Sequence, residues 1–144
     1  METGIIGDIA AGACLGLSAL GSGLGVRVAG MSAIGAWKKC YIQNKPVPFM
    51  LVAFTGAPLT QVIYGFILMR ALLSSQVLNG LQLLGVGVFS GIAIGFSAFA
   101  QGCCSASASD AFAETEQGSG NYWLIIGLCE TVALFVMVFA MIIA

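Results

Sequence analysis

One carboxylate stands inside an apolar part of the sequence. Glu130 lies within the run Leu128-Cys129-Glu130-Thr131-Val132, and apolar residues continue on both sides of it. An ionisable side chain inside a membrane-spanning helix is costly and by default marks a functional site. The sequence therefore predicts that Glu130 does chemistry, and its partners are expected at the same depth.

Gln101 is predicted to face Glu130 across a helical hairpin. The two residues are equidistant from Thr115 and Glu116, in the middle of a polar segment. An antiparallel hairpin that turns in this segment brings equidistant residues to the same level. We therefore expect the amide and the carboxylate to lie close together.

A second set of polar groups occupies one face of an earlier apolar stretch. The set consists of Ala57, Thr60, Gln61 and Tyr64. These residues fall at positions i, i+3, i+4 and i+7, which share a helical face. Pro58 lies among them and lacks a backbone donor, which leaves the carbonyl of Phe54 without its helical partner and bends the helix. The backbone carbonyls there become available as ligands.

Together these groups predict a site for a hard cation. A carboxylate, two amide oxygens, a hydroxyl and backbone carbonyls are hard donors, which suit neither zinc nor copper. The chain has no His, and its 5 cysteines show no CxxC spacing, so a structural zinc site is not expected. The alternative is an interhelical hydrogen-bond network that satisfies itself, which membrane proteins also use.

The composition requires that lipid surrounds most of the chain. Of its 144 residues, 59% are hydrophobic and only 8% are charged, whereas soluble domains have about 25% charged residues. Four apolar stretches, 9–37, 49–73, 78–110 and 122–143, each exceed the roughly 20 residues that cross a hydrocarbon core. We predict an all-α membrane protein of four transmembrane helices.

The stretches alternate between glycine-rich and bulky. The first and third contain glycines four residues apart, which let helices approach closely: Gly21 with Gly25, and Gly87 with Gly91 and Gly95. This order predicts two duplicated hairpins, 1–76 and 77–144, of which the second contains the carboxylate and the first has Leu59 in its place. A self-contained four-helix bundle is the alternative.

The distribution of basic residues predicts the orientation. Lys38, Lys39 and Lys45 lie between the first two stretches, and the positive-inside rule assigns such a loop to the cytoplasm. We therefore predict a multi-pass protein of the cell membrane. Loops 38–48 and 111–121 would be cytoplasmic, and both termini would lie on the other side.

The polar segments resemble those of a known family. Ala57-Pro58-Leu59-Thr60-Gln61-Val62-Ile63-Tyr64-Gly65-Phe66 resembles the Pro-Gly-Thr-Gln-x-x-Tyr-Gly-Phe segment of the proteolipid ring subunit (K or c subunit) of bacterial sodium-type V-type (V/A-type) ATPases. Ser97-Ala98-Phe99-Ala100-Gln101-Gly102 is similar to its Ser-Gly-x-Ala-Gln-Gly segment, and Glu130-Thr131 to its ion-binding Glu-Thr. The sequence departs at Leu59, where the family often has Gly.

The resemblance implies a set of ligands for Na⁺: Glu130, Thr60, Gln61, Gln101 and the backbone carbonyl of Ala57, with Tyr64 hydrogen-bonded to the carboxylate. It also implies a homo-oligomeric rotor ring, with the first and third helices inside, that carries one monovalent cation per subunit. Its partners would be other copies of itself, a membrane stator subunit with half-channels, a central-stalk subunit and lipids. ATP hydrolysis or synthesis would occur on other subunits, so neither enzymatic activity, a cofactor nor a nucleic-acid partner is expected.

Two other functions stay open. The first is a proton-carrying ring subunit of the same family, although proton-carrying relatives tend to lack the Thr-Gln pair. The second, from another class, is a stand-alone small transporter or tetraspan packing protein. Arg27 is the other charged residue well inside a stretch, away from its ends. We predict that it points into the ring interior, because a guanidinium beside Glu130 would compete with the cation.

Overall fold

The computed structural model describes the backbone of residues 2–144 and the side chains from Gly4 onward. Its elements follow in chain order: α1 (Glu2–Ile42), α2 (Met50–Gly56), a 3-10 turn (Ala57–Leu59), α3 (Thr60–Ser74), α4 (Gly80–Thr115) and α5 (Ser119–Ile143). No β-strand occurs in residues 2–144. Met1, where the predicted first hairpin begins, lies outside the described residues.

Four helical spans in the described chain are long and apolar enough to cross a membrane. They are α1, α4, α5 and the continuous span Met50–Ser74, which consists of α2, the 3-10 turn and α3. The predicted all-α fold with four transmembrane helices is confirmed.

The helices extend beyond the predicted apolar stretches. The segments predicted as loops, 38–48 and 111–121, shorten to 43–49 and 116–118 because α1 and α4 continue through charged residues. Charged residues end an apolar stretch without ending a helix, and the Lys38, Lys39 and Glu114 in these extensions are good helix formers. The chain turns instead near three residues with left-handed backbone conformation, which residues other than Gly and Asn seldom adopt. They are Asn44 (φ 53°), Glu116 (φ 56°) and Gly118 (φ 80°).

The two glycine-rich helices, α1 and α4, pack on each other inside the subunit. A Cβ atom built on Gly95 would lie 2.6 Å from the carbonyl oxygen of Leu17, and one on Gly91 would lie 3.0 Å from Cα of Cys14. Such distances leave no room for a side chain, so these glycines permit the close approach. By contrast, a Cβ on Gly12 or Gly16 would meet nothing within 4 Å in the described chain, so part of the α1 glycine row faces outward.

The ends of α1 and α4 lie at the same end of the bundle. Lys39 Nζ of α1 is 2.7 Å from Asp110 Oδ1 and 3.5 Å from Glu114 Oε1 of α4. About half of each of these side chains is exposed, so the ion pairs contribute little to stability. They do show that the first and third connections share one end, as the four-helix order requires.

Candidate cation site

The Glu130 carboxylate accepts hydrogen bonds from two other membrane spans. Tyr64 of α3 donates its hydroxyl to Oε1 at 2.5 Å, and Gln101 of α4 donates Nε2 to Oε2 at 3.3 Å. Both carboxylate oxygens therefore act as hydrogen-bond acceptors. An ionised carboxylate in an apolar bundle requires a positive counterpart.

Gln101 connects the carboxylate to the rest of the site. Its side chain is fully buried, and its Nε2 also donates to the carbonyl oxygen of Ile126 at 3.1 Å. Its Oε1 accepts a hydrogen bond of 2.7 Å from Nε2 of Gln61, which is also fully buried. The predicted hairpin register thus brings Gln101 to the level of Glu130.

The 3-10 turn Ala57–Leu59 positions the remaining ligands. Pro58 cannot donate a backbone hydrogen bond, and the helix is interrupted at this point, as predicted. The carbonyl oxygen of Ala57 accepts hydrogen bonds from the backbone N–H of Thr60 and from its Oγ1 at 3.1 Å. The Ala57 carbonyl and the Thr60 hydroxyl therefore lie side by side at the interruption.

Leu59 fits this turn without strain. Its backbone is right-handed helical, with φ −75° and ψ −22°, which any L-residue adopts. Its side chain is 54% exposed, whereas the Gln61 and Gln101 side chains are fully buried. The Leu found where the related segment often has Gly therefore imposes no backbone strain on the turn.

Three uncharged oxygens converge beside the carboxylate network. Thr60 Oγ1 lies 3.1 Å from Oε1 of Gln61 and 3.1 Å from the carbonyl oxygen of Ala57. No group of three or more His, Cys, Asp or Glu side chains that could hold a metal occurs in the described chain. The donor set is one carboxylate with neutral oxygens, which suits a hard cation of single charge.

All six predicted site residues thus belong to one hydrogen-bonded network. Ser97 was assigned no role from the sequence. Its Oγ donates to the carbonyl oxygen of Cys129 at 2.6 Å and so joins α4 to α5 beside the carboxylate. Ser97 precedes Gln101 by four residues and so shares its helical face. This spacing is the signal that would have found it.

Arg27 takes no part in this network. Its side chain is exposed, and its guanidinium makes no ion pair within the described residues. Successive helix residues are about 100° apart, so Arg27 lies nearly opposite the α1 face of Gly21, Gly25 and Ala29, which is buried in the subunit. The predicted separation of Arg27 from Glu130 agrees with this placement.

Comparison with known proteins relates most of the second hairpin to a family. Residues 84–143 match the family of ATP synthase C subunits. The match begins in α4 and includes both Gln101 and Glu130.

A curated relative matches almost the whole chain. The A-type ATP synthase subunit K of Methanocaldococcus jannaschii is 29% identical to it over 138 residues, which are 94% of this chain. The chain spans 60% of the length of that relative. The similarity therefore reaches the first hairpin as well as the second.

Proposed function

We propose that this chain is the ion-carrying proteolipid subunit of the rotor ring of a V/A-type ATPase, and that it carries Na⁺ at Glu130. The observation on which the proposal rests is a carboxylate within α5 that accepts hydrogen bonds from Tyr64 and Gln101 on two other spans. The match to the ATP synthase C subunits and the similarity to an archaeal K subunit support the kind of assembly.

The oxygens near the carboxylate favour sodium over the proton. A proton needs only a carboxyl group, whereas Na⁺ needs several oxygens at fixed positions in place of its hydration shell. Thr60 Oγ1 already lies 3.1 Å from both the Ala57 carbonyl oxygen and Gln61 Oε1. A proton site has no need of these three oxygens as ligands.

Each residue then has a defined part in ion carriage. The ionised Glu130 neutralises the cation, and Tyr64 and Gln101 hold its two oxygens in position. Gln61 links the two parts of the site. Its Nε2 donates to Gln101, which contacts the carboxylate, and its Oε1 lies beside the Thr60 hydroxyl. When the carboxylate leaves this network, the neutral oxygens that remain cannot balance the charge, and the cation is released.

The same proposal covers the assembly. Copies of the chain would form a closed ring that exchanges its cations with a membrane stator subunit through half-channels, while ATP chemistry occurs on other subunits. One charge moved through 100 mV corresponds to about 2.3 kcal/mol, so several such steps can be coupled to each ATP. The end of the bundle with Lys39 and Asp110 would face the cytoplasm and the central stalk.

Labelling of Glu130 by a hydrophobic carbodiimide tests the cation. The reagent attacks only the protonated carboxyl, so Na⁺ that occupies the site and keeps Glu130 ionised should slow the reaction. Choline chloride at the same concentration is the control for ionic strength. Gln61→Ala should raise the Na⁺ concentration needed for protection without abolishing labelling.

Gln76→Ala is the matched control variant, because Gln76 is an exposed amide in the connection between α3 and α4. In this variant Na⁺ should protect Glu130 at the same concentration as in the wild type. Labelling that depends on pH alone, with no effect of Na⁺ even above neutral pH, would identify a proton carrier. The mass of the assembly in detergent tests the rival class, since a monomer or small oligomer in place of a large ring would indicate a stand-alone transporter.

A further inference from the structure

Two thiols meet between α4 and α5, next to Glu130. The Sγ atoms of Cys104 and Cys129 are 3.4 Å apart, although the residues are 25 positions apart in the chain. Cys129 directly precedes Glu130, and Cys104 follows Gln101 by one helical turn. The thiol pair therefore joins the same two helices as the hydrogen bond between Gln101 and Glu130.

The two helices are held close together at this point. Ser97 of α4 donates to the carbonyl oxygen of Cys129 at 2.6 Å, and Gln101 donates to that of Ile126 at 3.1 Å. A Ser side chain is short, so its bond to the backbone of the next helix requires close approach. The sulfurs, now 3.4 Å apart, need to reach the disulfide length of about 2.05 Å.

Both thiols can be reached from the surface of the subunit. Cys104 is half-buried and lines a groove of about 280 Å³ together with Ser107 and Tyr122. Cys129 is half-buried and lines a second groove, of about 590 Å³, together with Ser97 and Val132. Since a water molecule takes about 30 Å³ of liquid volume, either groove admits a small organic hydroperoxide.

From this geometry we propose that Cys104 and Cys129 are a modification site, at which a hydroperoxide forms a reversible disulfide that clamps α4 to α5 beside Glu130. One sulfur attacks the peroxide oxygen and breaks the O–O bond, which gives a sulfenic acid and an alcohol. The other thiol then displaces water and the S–S bond forms. Two electrons pass from the sulfurs to the peroxide, and the two thiol protons end in the alcohol and the water.

The apolar surroundings favour a disulfide over a bound soft metal ion. Two thiols and their disulfide are all uncharged. Two thiolates around Cu⁺, the usual soft-metal alternative, would leave a net negative charge beside the Glu130 carboxylate. Such a charge is costly in a membrane bundle.

The clamp has a consequence at the carboxylate. A covalent bond one residue from Glu130 prevents α5 from moving away from α4, where Gln101 donates to the carboxylate. The oxidised chain should therefore keep Glu130 in its network and react more slowly with a hydrophobic carbodiimide. This consequence does not depend on whether the cargo is sodium or protons.

The test uses the full chain in detergent, oxidised with tert-butyl hydroperoxide and then reduced with dithiothreitol. Mass spectrometry of the oxidised chain should show the loss of two hydrogens. Chymotryptic cleavage between the cysteines, at Phe112 and Tyr122, should leave peptides of α4 and α5 joined until reduction. The carbodiimide rate at Glu130 should fall several-fold on oxidation and recover on reduction.

Cys103 supplies the matched control, because it is adjacent to Cys104 but exposed on another face of α4. Cys103→Ser should behave as wild type, whereas Cys104→Ser should lose both the crosslink and the change in rate. Two thiols that stay free, or a disulfide that contains Cys103, would overturn the proposed site. A crosslink that forms without changing the rate would overturn the clamp. Because reduction of the wild type reverses the effect, the test does not rely on the variants alone.

Discussion

The hydroxyl of Tyr64 can be removed with little other change to the subunit. It makes the shortest side-chain contact of Glu130, 2.5 Å. Tyr64→Phe deletes this hydroxyl while the aromatic ring of residue 64 keeps its packing. A hydrogen bond to a charged group contributes about 1.5–3 kcal/mol, and each 1.4 kcal/mol is tenfold in affinity. Because Glu130 is half-buried, we expect the lower end of this range, about a tenfold rise in the Na⁺ concentration for half-protection.

The assay is the rate of carbodiimide labelling against Na⁺ concentration at fixed pH. Tyr122→Phe is the matched control, since the Tyr122 ring packs against Phe54 and its hydroxyl does not contact Glu130. In that variant Na⁺ should protect Glu130 at the same concentration as in the wild type. If Tyr64→Phe shifts half-protection no more than Tyr122→Phe, the hydroxyl does not hold the carboxylate and this reasoning is refuted.

Two further predictions concern packing and surface charge. Gly95→Leu forces a side chain into the backbone of Leu17 and should lower the free energy of unfolding by at least the roughly 1–3 kcal/mol of an overpacked core, which is measured as a fall in the Tm of the detergent-solubilised subunit. Gly12→Leu, on an open face, should leave the subunit folded, and equal falls in Tm would contradict the α1–α4 packing. Lys39→Ala removes only half-exposed ion pairs and should leave the Tm unchanged within error, and a clear fall would show that these pairs stabilise the bundle.

The sequence predicted which polar residues lie together in the hydrogen-bonded network but not how they are connected. Helical spacing placed Ala57, Thr60, Gln61 and Tyr64 on one face, and hairpin symmetry paired Gln101 with Glu130. Neither argument could show that Gln61 is linked to Glu130 through Gln101, since this depends on how far apart the spans lie. The spacing of Ser97 to Gln101 could have placed it on the same helical face, but its hydrogen bond to the Cys129 carbonyl also depends on that distance.

The ends of the helices could not be predicted from hydrophobicity alone. The apolar stretches located four spans, but they ended at charged residues such as Lys38 and Asp110, through which α1 and α4 continue. Hydrophobicity reports where lipid can surround a helix, whereas the end of a helix depends on backbone conformation. The chain turns at Asn44 and Glu116, where φ becomes positive.

The sequence by itself determined that this chain spans a membrane as four helices and that Glu130 has polar partners, because both follow from residue type and from spacing along a helix. Only the tertiary structure decided which glycines pack inside the subunit, where Arg27 points, and that Cys104 meets Cys129. These outcomes depend on the rotation of each helix about its axis and on the distance between helices. Both are set by the packing of all the spans together.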